Sequence, residues 1–267
     1  MNLENQTVGD VQLAYVDSGE GMPVLLIHGF PLDHTMWNAQ IGALAARYRV
    51  IAPDLRGFGS SGITPGKVTM EQFADDLASL LDALGIGGPA VVCGLSMGGY
   101  VAWQFWCKYA QRVRALILCD TRAAADAPEV AAGRLVTADR LLREGPGMLA
   151  ETMMPKLLAE STAAGRPELA EALGRVIERT DPQGIAAALR GMAERPDVTA
   201  RLAEITCPAL LIVGAEDAIS TPQEMGTIAR AIPGARLVEI AGAGHMSPVE
   251  RPQQVSAAML ELLATLG

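Results

Sequence analysis

The sequence predicts an α/β fold: a mostly parallel sheet with helices on both faces, interrupted by one inserted block of helices. Three observations lead there. Short, wholly apolar runs at residues 24–27, 90–93 and 209–213 read as strands covered on both faces. Amphipathic stretches lie between such runs; residues 70–84 place Phe73, Leu77, Leu80, Leu81 and Leu84 on one stripe. After Asp120 the alternation stops. From Arg122 to about Thr199 the pattern is helical throughout and rich in Ala, Leu and Met, and alternation resumes at Cys207. The expected organisation is a core over residues 1–121, a helical cap over 122–200 and the rest of the core over 201–267.

In chain order, residues 11–16 alternate apolar and polar and end at Asp17-Ser18-Gly19, as an early antiparallel strand does. The strand at 24–27 runs into His28-Gly29-Phe30-Pro31. A helix is expected over residues 36–47, a strand over 50–52, and then a glycine-rich loop, Asp54-Leu55-Arg56-Gly57-Phe58-Gly59, whose Asp and Arg tie the turn together. The helix at 70–84 leads to the strand at 90–93, a helix over 100–109 and a strand over 115–118. Within the inserted block, Thr180-Asp181-Pro182 marks a helix start before residues 185–192. A strand at 209–213, a helix at 222–232, a strand at 236–240 and a helix at 252–266 complete the chain.

Composition narrows the function. The 267 residues carry a net charge of −9, which argues against nucleic acid and against anionic membrane surfaces. The four cysteines lack CxxC spacing and nearby histidines, and Cys93, Cys119 and Cys207 sit in or beside strand-like apolar runs, so buried free thiols are expected there rather than zinc or disulfides. No P-loop, dinucleotide fingerprint or metal-ligand spacing stands out, and no metal or cofactor is expected. The first residues show neither a basic n-region nor an apolar h-region, and no transmembrane run follows, so a cytoplasmic protein is expected. The composition leaves room for a homo-oligomer.

The chemistry centres on Gly94-Leu95-Ser96-Met97-Gly98-Gly99, a Gly-x-Ser-x-Gly turn between a strand and a helix. A serine standing clear at a strand end needs a very tight, positive-φ turn, and side chains two residues either side would collide with it. Its hydroxyl needs a base. Of three histidines, His245 lies in Gly242-Ala243-Gly244-His245-Met246 past the last strand, at the carboxyl edge where such sheets place their sites. His28 also ends a strand but is read as a brace for its loop. The base in turn needs a carboxylate: Asp217 in Gly214-Ala215-Glu216-Asp217 is preferred, Asp120 is the competitor, and Glu216 is assigned to solvent or to a structural partner. Two backbone N–H groups, those of Phe30 and Met97, are expected to hold the oxyanion. Met36 and Trp37, with Met148, Met153, Met154 and Met192 of the inserted block, are candidates for an apolar substrate pocket, although such spacing equally suits core packing.

With these residues in view, the chain resembles the α/β-hydrolase superfamily over essentially its whole length. The resemblance rests on His28-Gly29-Phe30-Pro31, the Asp54 to Gly59 loop, the Ser96 elbow, Gly214-Ala215-Glu216-Asp217 and Gly244-His245. It implies the α/β-hydrolase fold, with a mostly parallel eight-stranded sheet and an inserted helical cap. Within the superfamily the chain is similar to small bacterial carboxylesterases, cofactor-free haloperoxidases and perhydrolases, and 3-oxoadipate enol-lactonases. Its stretch from Cys93 to Gly99 and Cys119-Asp120-Thr121-Arg122 lean towards the last. A serine rather than an aspartate at the elbow disfavours haloalkane dehalogenases and epoxide hydrolases. The implied activity is cleavage of a small-molecule ester or lactone through an acyl-enzyme on Ser96. Carbon–carbon bond hydrolysis or perhydrolysis by the same residues is the alternative, and a non-catalytic ligand-binding protein is the reading from another class.

Overall fold

The computed structural model describes residues 2–267; Met1, at the start of the expected core, lies outside the described residues. Eight strands form one sheet in the order β1-β2-β4-β3-β5-β6-β7-β8. They are β1 (Glu4–Val8), β2 (Val11–Ser18), β3 (Pro23–Ile27), β4 (Arg49–Pro53), β5 (Ala90–Leu95), β6 (Val113–Cys119), β7 (Ala209–Gly214) and β8 (Arg236–Ile240). β2 is antiparallel to both β1 and β4, and all other pairings are parallel. The central strands β5 and β7 are buried at every position, as apolar runs covered on both faces must be.

The helices are α1 (Asn38–Leu44), α2 (Met70–Ala83), α3 (Met97–Tyr109), α4 (Pro128–Glu144), α5 (Gly147–Leu157), α6 (Glu160–Gly165), α7 (Pro167–Arg179), α8 (Pro182–Ala193), α9 (Pro222–Ala231), α10 (Ser247–Glu250) and α11 (Pro252–Ala264). Crossover handedness assigns the layers. The path from β3 through α1 to β4 runs one way along the sheet; those from β4 through α2 to β5 and from β5 through α3 to β6 run the other way. Right-handed crossovers in opposite directions put their helices on opposite faces. Accordingly α1 packs with α11, and α2 with α3. The winding reverses between β3 and β5, and ligands of open α/β sheets bind at the carboxyl edge of such a reversal. Helices α4 to α8 fill the stretch between β6 and β7, with α4 packed on α8. The expected start of α8 is present: the Asp181 side chain accepts the Gln183 N–H at 2.8 Å.

Three local expectations are corrected. β1 was not anticipated, because Glu4-Asn5-Gln6-Thr7 is polar; it is an edge strand that needs no apolar face and pairs with β2 across the Gly9-Asp10 turn. The helix expected over residues 36–47 is shorter. A 3₁₀ turn at His34–Trp37, capped by Asp33, precedes α1. Of Asp54 and Arg56, only Asp54 ties the glycine-rich turn as expected. Asp54 accepts the Ser60 N–H at 2.9 Å, whereas Arg56 reaches out of the loop to Asp76 on α2 with two hydrogen bonds of 2.8 and 2.6 Å.

That guanidinium is 2% exposed, so the pair anchors the glycine-rich loop to the helical layer only while both partners remain. Asp76→Ala leaves a buried cation short of its bidentate acceptor and should destabilise the fold by about 3 kcal/mol in urea titrations. A loss below about 1 kcal/mol would show that exposed Asp10 suffices as partner.

Candidate active site

The turn at Ser96 is the strained piece of backbone expected. Ser96 has φ of 53° and ψ of −114° and directly precedes the first residue of α3. Such geometry costs on the order of 1–3 kcal/mol and persists only when its surroundings hold it. The Ser96 N–H donates to the Cys119 carbonyl at 3.0 Å, and the Ser96 carbonyl accepts from the Thr121 hydroxyl at 2.7 Å. A Cβ on Gly94 would run into the Gly98 carbonyl, and one on Gly98 into the carbonyl of Ile27. The two glycines therefore let β3, β5 and α3 meet beneath the serine.

His245 lies in the loop after β8 and is 3% exposed. Its Nε2 is 2.9 Å from Ser96 Oγ, and its Nδ1 is 2.9 Å from Asp217 Oδ2. A carboxylate can only accept, so Nδ1 carries the proton and Nε2 faces the serine hydroxyl as acceptor. Asp217 is held in turn. Its Oδ1 accepts the N–H groups of Ile219 at 2.7 Å and Ser220 at 3.0 Å, and the side chain is buried. Glu216 beside it is exposed.

Asp120, the competing carboxylate, points elsewhere. It is fully buried with φ of 45°; its Oδ1 accepts the Gly214 N–H at 2.8 Å and its Oδ2 the Ser247 hydroxyl at 2.5 Å. Burial first, and the neighbouring Asp217 charge second, push its carboxyl well above the usual carboxylate range. Asp120 thus joins the end of β6 to the loops that carry Asp217 and His245. His28 is likewise a brace. It is fully buried, accepts the Leu55 N–H on Nε2 at 2.9 Å and bonds its Nδ1 to the Gly29 carbonyl at 2.9 Å, and burial lowers its pKa.

Among the described residues, neither the Phe30 nor the Met97 backbone N–H finds an acceptor within the chain. Met36 supports the Phe30 loop, its Sδ accepting the Gly29 N–H at 3.3 Å. Met36 also lines a cavity of about 300 Å³ with Leu32, Leu169, Leu173, Val176 and Val249. The other five pocket candidates do not line it. Trp37 and Met192 are buried, and Met148, Met153 and Met154 pack half-buried against the core.

Sequence spacing hid one cluster, because Asp54 lies twenty residues from His34. Atoms of Asp33, His34 and Asp54 gather within 4.8 Å. Their oxygens are already engaged. Asp54 accepts from the His34 N–H at 2.8 Å and pairs with His34 Nδ1 at 2.6 Å, while Asp33 accepts from the Thr35 N–H at 3.0 Å and pairs with Arg179 of α7 at 2.5 Å. A cation bound there would have to displace the guanidinium, so the cluster fits a latch between core and helical insertion better than a metal site.

A model of the alpha/beta hydrolase family matches residues 24–258, and the chain belongs to that family. It is 30% identical over 250 residues to 3-oxoadipate enol-lactonase 2 of Acinetobacter baylyi, covering 92% of this chain and 91% of that one. Among solved structures it is similar to a thermophilic esterase from Thermogutta terrifontis with malate bound, at 50% identity and a TM-score of 0.97, over 100% of this chain and 99% of the other. It is also similar to the enol-lactonase from Burkholderia xenovorans LB400, at 31% identity and a TM-score of 0.91, over 98% and 100% of the two chains. Among the described residues, no helix is long and apolar enough to cross a membrane.

The His34–Asp54 pair carries a pH signature. Burial alone would lower the pKa of His34, but the Asp54 hydrogen bond and charge outweigh it and the net shift is upward. A folded-state pKa raised above the unfolded value of 6.5 gives stability that is full below that value and is lost as pH rises through the folded pKa. His34→Ala should therefore lower Tm more at about pH 5.5 than at about pH 9. Equal losses at both pH values would show that only packing is at stake.

Proposed function

We propose that the protein is a serine hydrolase of small carboxylic esters or lactones, with Ser96 as nucleophile, His245 as base and Asp217 as the orienting acid. The observation that supports this most is the unbroken hydrogen-bond path from Asp217 through His245 to a hydroxyl on a strained, glycine-flanked turn. The family and the esterases and enol-lactonases among its relatives support the substrate class.

The path accounts for each step. The Ser96 Oγ–H proton passes to His245 Nε2 as the Oγ–carbon bond forms, and Asp217 stabilises the imidazolium that results. The carbonyl oxygen becomes an oxyanion facing the uncommitted N–H groups of Phe30 and Met97. Collapse breaks the bond to the alcohol oxygen, which takes the proton back from His245; in a lactone that oxygen stays attached to the acyl chain. A water then gives its proton to His245 and attacks the ester carbonyl, and the acid leaves as Ser96 recovers its proton.

A fluorophosphonate should form one adduct on Ser96, read by peptide mass, and Ser96→Ala should neither label nor turn over an ester panel while keeping its Tm. Turnover by Ser96→Ala within about tenfold of the parent would refute the nucleophile. Asp217→Asn should reduce kcat on the order of 10⁴-fold by imposing the wrong imidazole tautomer. Asp120→Asn retains an acceptor for Gly214 and should cost under about tenfold. The reverse ranking would transfer the acid's role to Asp120.

A further inference from the structure

Glu250 has no part in these steps, yet it is 1% exposed and lies five residues past His245. Its carboxylate is divided between two elements. Oε1 accepts the Gly244 N–H at 2.8 Å, next to His245 in the chain, and Oε2 accepts the Ala159 N–H at 2.9 Å. Ala159 belongs to the joint between α5 and α6 of the helical insertion. A second bond runs beside the first: the Met246 N–H donates to the Leu157 carbonyl at 3.1 Å. Both neighbours of His245 are therefore fastened to residues 157–159, Met246 directly and Gly244 through Glu250. The packing leaves no slack, since a Cβ on Gly244 would lie 2.6 Å from the Ala159 nitrogen. Arg166, also in the insertion, donates to the Glu250 carbonyl at 2.7 Å.

We propose that Glu250 is a positioning residue for His245: one buried carboxylate shared between the base loop and the helical insertion, so that the insertion must be seated for His245 to meet Ser96. The proposal rests on His245 being the base of the hydrolase. A buried carboxylate stripped of one of its two donors bears an uncompensated desolvation cost, which favours the seated arrangement. Displacing residues 157–159 also releases Met246, and the loop holding His245 then loses both of its ties to the insertion. A small misplacement of the base lowers the rate of the chemical step rather than substrate affinity.

Two variants test the bridge from its two sides. Ala159→Pro deletes the insertion's donor where the backbone already suits proline: Ala159 has φ of −58° and ψ of 145°, and Leu158 before it is extended. Glu250→Gln keeps the side chain's size but turns an NH₂ towards one of the two N–H groups. For each, the rate of fluorophosphonate labelling at Ser96 is measured with kcat and KM on a small ester, and folding is checked by circular dichroism and Tm. Each should slow labelling and kcat about tenfold or more, with KM within about twofold. The double variant should cost no more than the worse single one, because both break the same bridge. A folded Ala159→Pro with parental labelling rate and kcat would overturn the proposal, as would fully additive losses. Failure of the parent protein to label at all would instead remove the hydrolase assignment, and this proposal with it.

Discussion

His245 must hold two hydrogen bonds at once, and the partners come from the ends of two strands that are not neighbours. Ser96 follows β5 and Asp217 follows β7, with β6 between them. Parallel pairing brings these ends to one edge, but strand register alone leaves the loops free to wander by more than a hydrogen bond allows. The gap is filled from β6. Asp120 at its end grips both the amide of Gly214, three residues before Asp217, and the hydroxyl of Ser247, two residues after His245. A side chain that bonds to neither Ser96 nor His245 thereby spaces the two loops that carry Asp217 and His245.

The polar groups at this edge follow one design. Asp217, Asp120 and Glu250 are all buried, and each is met by backbone N–H or hydroxyl donors. Backbone donors are fixed in direction by the turns that carry them, whereas a long cationic side chain would bring rotamer freedom with it. Crowding acidic groups in a buried region has an electrostatic consequence seen at Asp120, where burial and the Asp217 charge both oppose ionisation. The strained φ of Ser96 belongs to the same scheme, since Cys119 at the end of β6 and Thr121 just beyond it hold the turn by hydrogen bonds.

Much of this was legible in the residue order. Fully buried parallel strands leave wholly apolar runs, and the elbow glycines leave a spacing that a tight strand-to-helix turn requires, so the sheet and the meeting of Ser96, His245 and Asp217 at one edge could be read. β1 could not, because an edge strand needs no apolar face and its polar residues resemble a loop. The partners of Arg56 and Asp54 were equally hidden: a loop sequence shows which charges it holds but not which helix or turn will pass within reach. Glu250 left the weakest trace, one acidic residue in a short helix whose importance lies in a contact ninety-one positions back along the chain. The methionines of the insertion were ambiguous by nature, since a flexible apolar side chain serves a core and a pocket equally well.

The place where the helical insertion leaves and rejoins the sheet has a consequence for how such a chain can diversify. It departs after β6 and returns ahead of β7, and its two ends are tied to each other, the Val198 N–H donating to the Ala123 carbonyl at 3.0 Å. A longer, shorter or differently packed set of helices could be joined at that closure without altering the register of any strand. The helical segment and the sheet can therefore change at different rates, provided that an exchanged segment still presents a carbonyl where Leu157 does and a backbone amide where Ala159 does.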